Sequence, residues 1–384
     1  MKVALVIERF EPLRGGRETS TAQTAAALAR RGCEVTVFCQ SGAPGRDGVE
    51  VRPLRSRDRT RAGRLASFAV NVRRAVREGR FDIVHATLPI PGARVFQPRG
   101  GLVEAQAAAG LRRRRGLKRL TAQLTGPLNR QRRRMLQLEQ KVVRDAQTAC
   151  LAVSEMVERE FLNYYARSDG VRVVYNAVEV PDVDESRRLR WRRELRRQIG
   201  AGPNSPVFLI VAKNYELKGV AEAICAFARW VRSSEGSHGA RLVAVGRKKV
   251  ARYRALAIRR GVHKQVRFVG PTDDVFAWYS AADVCLLPSW YDPCSRVVLE
   301  AVRWSLPAVT TVYNGAAEAL AEGAGIVVSS PADEAALTAA IAELADPKQR
   351  ARRREACADV ADRLGMDRHV DELLEVYREV TGRA

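Results

Sequence analysis

The chain has 384 residues, 46% of them apolar and 28% charged, and its 66 lysines and arginines against 43 aspartates and glutamates give a net charge of +23. That length accommodates two domains with a core each, and the composition is globular rather than disordered. No run of about 18 apolar residues occurs, which excludes a bilayer-spanning helix. Seven scattered cysteines without a C-x-x-C pair, and four histidines without ligand spacing, offer nothing for a metal.

Val3–Ile7 reads as a buried strand, which Glu8 and Arg9 end too early for a signal-peptide core. The chain is therefore expected in the cytoplasm with reduced thiols. Thr19–Arg31 is helical, with Ala22, Ala25, Ala26 and Ala29 on one side and Gly32 as its stop. Glu34–Cys39, Phe81–Ala86, Cys150–Val153 and Val171–Val174 repeat the strand character between helical stretches. Such alternation predicts a parallel sheet with right-handed crossovers. Residues 179–206 are polar and rich in arginine and read as a linker with a short helix. Val207–Ala212 then opens a second series, followed by Arg241–Val245, Val266–Val269, Val284–Leu287, Ala308–Thr311 and Gly325–Val328. The prediction is an α/β protein of two Rossmann-like domains, at 1–178 and 207–365. A final helical stretch from about Asp359 to Tyr377 (a C-terminal helix at about 366–384) is expected to return to the first domain.

Between Glu104 and Glu139 there is no acidic residue, while Arg112 to Arg115, Lys118, Arg119, Arg130 and Arg132 to Arg134 crowd the stretch. Leu117, Leu120, Leu124 and Leu128 supply an apolar side. A basic amphipathic stretch of this kind suits an anionic membrane surface, and equally a solvated arginine-rich face. Nucleic acid is not expected, since little aromatic side chain is interleaved to stack bases.

Three clusters carry candidate chemistry. Gly15 and Gly16 precede the first helix, where glycine lets a phosphate approach the N–H groups of a helix start, or simply turns the chain. Lys213 and Lys218 flank the loop after Val207–Ala212, the end at which parallel sheets bind ligands. Two cations suit a departing diphosphate, although each alone also reads as a surface lysine. In Ser289 to Ala301, Asp292 and Glu300 stand eight residues apart around a turn and helix start. Carboxylates accept hydrogen bonds from adjacent sugar hydroxyls. Asp182-Val183-Asp184 is a D-x-D only as text and follows no strand.

The order of a Gly-Gly loop, a lysine before Lys-Gly, acid-x7-Glu and Gly315-x-x-Glu318 resembles glycosyltransferase family 4 over nearly the whole chain. Within it the resemblance is to the lipopolysaccharide core glucosyltransferase I type. Val174 to Val178 is similar to the family's interdomain segment, with alanine in place of glycine. The resemblance implies a GT-B fold, with the two domains facing across a cleft, an acceptor domain first and a nucleotide-sugar domain second. It also implies retention of anomeric configuration and no metal or other cofactor. On this basis Lys213 and Lys218 hold the donor diphosphate with Gly15 and Gly16 closing over it, and Glu300 binds the ribose. Asp292 and the backbone at Cys294, Ser295, Arg296 and Val297 hold the donor sugar. The family motif usually opens with glutamate, where this chain has Asp292. His85 and Arg99 are the candidate acceptor contacts. UDP-glucose is the favoured donor and a glycan or glycolipid such as a lipopolysaccharide core the favoured acceptor. Work would be done in the cytoplasm, peripherally on the inner face of the membrane through Arg112 to Arg134. The alternative is a non-catalytic, basic binding protein of the same fold.

Overall fold

The computed structural model describes residues 1–384 except 13, 14, 57, 59, 115, 127, 128, 234–236, 383 and 384. It divides into two compact units, Met1–Val178 with Gly365–Ala384, and Glu179–Leu364.

The first unit is built on seven parallel strands, β1 (Lys2–Val6), β2 (Glu34–Cys39), β3 (Val49–Pro53), β4 (Ile83–Ala86), β5 (Val95–Phe96), β6 (Ala149–Ala152) and β7 (Val171–Val173). Their order is β3-β2-β1-β4-β5-β6-β7. The helices between them are α1 (Gly16–Arg30), α2 (Arg61–Gly79), α3 (Val103–Arg112), α4 (Leu117–Thr125), α5 (Arg130–Arg144) and α6 (Glu155–Tyr165). Side chains alternate across a strand, so β1 feeds two cores. Val3 and Leu5 pack with Ala25 and Leu28 of α1, whereas Ala4 and Val6 pack with Leu65, Phe68 and Val72 of α2. α4 buries none of its residues, and Leu117, Leu120 and Leu124 stand exposed on it. Arg115 and Leu128, assigned above to the basic stretch, lie outside the described residues.

The second unit begins with α7 (Glu185–Ile199), capped by the Asp184 carboxylate accepting from the Arg187 N–H at 2.8 Å. Its six parallel strands are β8 (Val207–Val211), β9 (Arg241–Val245), β10 (Val266–Gly270), β11 (Val284–Leu286), β12 (Ala308–Thr311) and β13 (Gly325–Val328), ordered β10-β9-β8-β11-β12-β13. The chain thus winds one way from β8 to β10 and the other way from β11, the order of a dinucleotide-type doubly wound sheet. The accompanying helices are α8 (Val220–Ser233), α9 (Ala251–Arg259), α10 (Val275–Ala281), α11 (Arg296–Arg303), α12 (Glu334–Ala345) and α13 (Pro347–Ala361). A turn at Asp362–Leu364 follows, and α14 (Met366–Thr381) rejoins the first unit, with Val370, Leu373, Val376 and Tyr377 in the same core as α1. Among the described residues no helix is long and apolar enough to cross a membrane.

Candidate active site

Ligands of doubly wound sheets sit beyond the carboxyl ends of the strands where the winding reverses. In the second unit that place lies between β8 and β11, and the loops leaving both strands are tied together. After β8, Tyr215 is fully buried and meets Tyr253 edge-on at 5.1 Å, pinning the inner side of the loop. The Leu217 N–H donates to Asn214 Oδ1 at 3.2 Å and the Lys218 N–H to the Asn214 carbonyl at 3.1 Å, closing a turn that leaves Lys213 exposed. Gly219 has φ +67, and a Cβ there would stand 2.0 Å from the Pro288 carbonyl oxygen. Only glycine permits this approach of the two loops. The Trp290 N–H donates to the Leu217 carbonyl at 2.8 Å, and the Trp290 indole N–H to Glu222 on α8 at 3.1 Å.

A third loop, after β12, joins them. The Asp292 N–H donates to the Tyr313 carbonyl and the Gly315 N–H to the Asp292 carbonyl, both at 2.9 Å, making a parallel bridge between Asp292 and Asn314. The Lys218 ammonium is ion-paired with the Asp292 carboxylate, with the two side chains 19% and 15% exposed. Cys294, Ser295 and Arg296 are buried, and Ser295 opens α11 without a side-chain cap of its own. The start of α11 thus follows directly on the Asp292 loop, and a helix start favours negative or hydrogen-bonding partners. One turn later Glu300 accepts from Arg296 at 2.8 Å and from the Tyr279 hydroxyl at 3.0 Å, one partner per carboxylate oxygen. Each oxygen keeps a second lone pair for a ligand hydroxyl. Burial first, and then the Glu300 charge, raise the Tyr279 phenol well above its ordinary range, so it remains a donor. Val297 is partly exposed beside them. Glu318 lies in the short 3-10 turn Gly315–Leu320.

Asn314, which is not among the residues singled out from the sequence, organises this site. It is 1% exposed, and its Oδ1 accepts from the Ser295 and Ala316 N–H groups at 3.1 Å each while its Nδ2 donates to Thr310 Oγ1 at 2.9 Å. An Asn-Gly pair is a turn signal, and that signal was present at Asn314-Gly315. Nothing local pointed to Tyr279.

In the first unit the candidates are differently placed. Gly15 caps α1 with extended backbone, and a Cβ on it would lie 2.8 Å from Glu18 Oε2. A protein carboxylate thus already occupies the surroundings of that helix start, within 3.6 Å of Arg17. His85, expected above as an acceptor contact, is 1% exposed, and its Nδ1 lies 2.6 Å from the Tyr377 hydroxyl. Burial, and then the Arg99 charge, press its pKa down to about 3. Arg99 is half-buried and directs its guanidinium inward, to Gln97 at 2.9 Å, Ser20 at 2.6 Å, Thr24 at 3.0 Å and His369 Nε2 at 3.2 Å. Because Arg99 can only donate, His369 accepts at Nε2 and donates from Nδ1 to the Tyr175 carbonyl at 2.7 Å. His85 and Arg99 thereby join α1, the β5 loop and α14 as packing groups. Among the described residues no group of three histidine, cysteine or acidic side chains is placed to hold a metal.

Residues 205–346 match the model for glycosyl transferases group 1, and residues 14–181 match glycosyltransferase family 4. The lipopolysaccharide glucosyltransferase WaaG of Escherichia coli K12 is 26% identical over 338 residues, 86% of each chain. A D-inositol 3-phosphate glycosyltransferase of Acidothermus cellulolyticus is 29% identical, over 98% of this chain and 90% of that one. The crystal structure of WaaG superposes with a TM-score of 0.78 at 22% identity, covering 99% of this chain and 100% of that one. HepE of Anabaena, solved with UDP-glucose, gives 0.73 at 18% identity over 99% and 100%.

Proposed function

We propose that this chain, a family 4 glycosyltransferase with the two Rossmann-like domains of a GT-B fold, moves glucose from UDP-glucose to a hydroxyl of a glycan or glycolipid. The observation that carries the donor assignment is the Lys218–Asp292 ion pair at the winding reversal of the second unit, with Glu300 in the helix that the Asp292 loop leads into. Lys213 and Lys218 would neutralise the diphosphate, and Glu300 would accept from the ribose hydroxyls. Asp292 and the N–H groups at residues 294–297 would hold the sugar. In the transfer, the bond from C1 to the phosphate oxygen breaks and that from C1 to the acceptor oxygen forms on the same face. The departing phosphate takes the acceptor proton, so the step asks for no protein base and no metal. Charge grows on the leaving diphosphate as the bond breaks, and fixed cations stabilise it more than the ground state. UDP-glucose is supported by the HepE complex and a lipopolysaccharide-type acceptor by the likeness to WaaG.

The test is a nucleotide-release screen across UDP-, GDP- and ADP-sugars, with and without a lipopolysaccharide core acceptor. Release of UDP from UDP-glucose, accelerated by the acceptor and lost in Glu300→Ala, is expected. Release from another donor alone would overturn the donor assignment.

The enzyme would dock on an anionic lipid surface through α4. Leu117, Leu120 and Leu124 share one face of a helix that buries nothing, Lys118 and Arg119 are exposed on the same helix, and Arg130, Arg133 and Arg134 are exposed on α5. Replacing the three leucines by serine should release the protein from vesicles containing phosphatidylglycerol, and unchanged binding would refute this placement.

A further inference from the structure

At the opposite, N-terminal ends of the second unit's strands lies a depression of about 440 Å3, formed by α7, the end of α10 and residues 304–306. Arg188, Arg192 and Arg354 line it, with Glu185 as the carboxylate on its wall, and Leu189, Tyr279 and Trp304 give it an apolar side. The charges around it are unevenly spent. Asp283, 5% exposed, is held by Arg192 at 2.7 Å and Arg196 at 3.0 Å, and its second oxygen also accepts from the Val207 N–H. Arg192 and Arg196 are further occupied by the carbonyl of Ala281 at the end of α10. Arg354 is left with a 3.7 Å approach to the same carboxylate and is 44% exposed.

Arg188 is less occupied still. Its guanidinium lies 3.8 Å from the Trp304 ring centre and its Nε is buried without an acceptor. Among the described residues its side chain makes no hydrogen bond or ion pair. Stacking on an indole fixes a guanidinium in position while leaving its in-plane donors for a second partner. Two guanidiniums with donors to spare thus border one depression that also holds the Glu185 carboxylate and has one apolar side.

We infer that this depression is a second ligand site, separate from the donor loops, for a phosphate monoester with an apolar body. Arg188 and Arg354 would take the phosphoryl oxygens, and the body would rest against Leu189, Tyr279 and Trp304. Guanidinium forks match phosphate geometry, and the apolar wall distinguishes an organic ester from inorganic phosphate.

Calorimetric titration of phenyl phosphate and inorganic phosphate into the full-length Lys218→Ala protein tests this with the donor loop disabled. One saturable site is expected, with phenyl phosphate the tighter ligand. Arg188→Gln with Arg354→Gln should weaken it at least about tenfold, as loss of charge-assisted hydrogen bonds does. Leu189→Ser, on an exposed side chain, should bring the two ligands toward parity. If the double variant loses its fold, Arg354→Gln alone must still weaken binding. No saturable binding at millimolar ligand, or binding indifferent to the arginine changes, would overturn the assignment.

Discussion

Lys218→Ala is the substitution that separates a donor-binding lysine from a merely structural one. In this structure the ammonium is paired with Asp292, and with both side chains under a fifth exposed the pair is largely shielded from solvent. A diphosphate entering the loop would share that cation. Removing it loses a hydrogen bond to a charged group, about 1.5–3 kcal/mol, and leaves Asp292 facing the phosphates unneutralised. The affinity for UDP should therefore fall by roughly ten- to a hundredfold or somewhat more. Uridine, which lacks the phosphates, should bind the variant nearly as well as the parent. Calorimetric titration of both ligands measures the two ratios, and Lys218→Ala with Asp292→Asn should recover part of the UDP loss, as coupled neighbours do. Equal losses for UDP and uridine would mean that the loop has collapsed, and an unchanged UDP affinity would mean that Lys218 does not meet the diphosphate. Either result would refute the reasoning.

Other consequences concern the framework. Burial opposes the Asp283 charge, but Arg192 and Arg196 prevail and hold the carboxyl below its ordinary value; Asp283→Ala should cost about 3–5 kcal/mol in denaturant unfolding of the second unit, and a change below about 1 kcal/mol would contradict it. Gly219→Ala should lower UDP affinity by more than about tenfold, since φ +67 and the Pro288 carbonyl both exclude a Cβ; a parental affinity would show the loop to be adaptable. His85, depressed to about 3 from its ordinary 6.5, is neutral when folded and takes up a proton first when unfolded. Its contribution is complete above the unfolded pKa and is lost as pH falls from about 6.5 toward 3. Glu139, which burial pushes up to about 7, acts in the opposite direction by losing stability as pH rises from its ordinary value. The comparison must therefore be with His85→Gln, whose unfolding free energy should fall less steeply from pH 6 to 4, by up to about 1.4 kcal/mol per pH unit; parallel curves would contradict the buried neutral imidazole.

The strands that could be bounded by reading were those with a buried apolar run between polar or glycine stops. Glu34–Cys39, Arg241–Val245, Ala308–Thr311 and Gly325–Val328 have those limits in the structure. Val49–Pro53 gives no strand signal in the sequence because it is an edge strand, exposed at Glu50, Arg52 and Pro53, and so carries no buried period. Val95–Phe96 is too short to show one. The sequence reads as helical from about Asp359, whereas the structure has Pro347–Ala361 and Met366–Thr381 around Gly365; Asp346 caps the first of these by accepting from the Lys348 and Gln349 N–H groups, and with Pro347 it makes a legible start signal. In the site, Lys213, Lys218 and Asp292 could be singled out as charges in the loops that follow buried strands, and Glu300 as the charge within an apolar helical run. Their pairing could not, because the Lys218 contact to Asp292 and the Asn314 bridge depend on neighbouring strands ending at one level of the sheet. His85 shows the converse, since its strand-end position suggested access and α14, nearly 300 residues later, supplies the tyrosine that covers it.

Hydrogen exchange with and without millimolar UDP, and with GDP and ADP as alternatives, tests the central claim most directly. Exchange should slow in residues 213–219, 292–300 and 314–318 with the preferred nucleotide and stay unchanged in α4. Unaltered exchange in all three loops with every nucleotide would contradict a donor site at the winding reversal of the second unit.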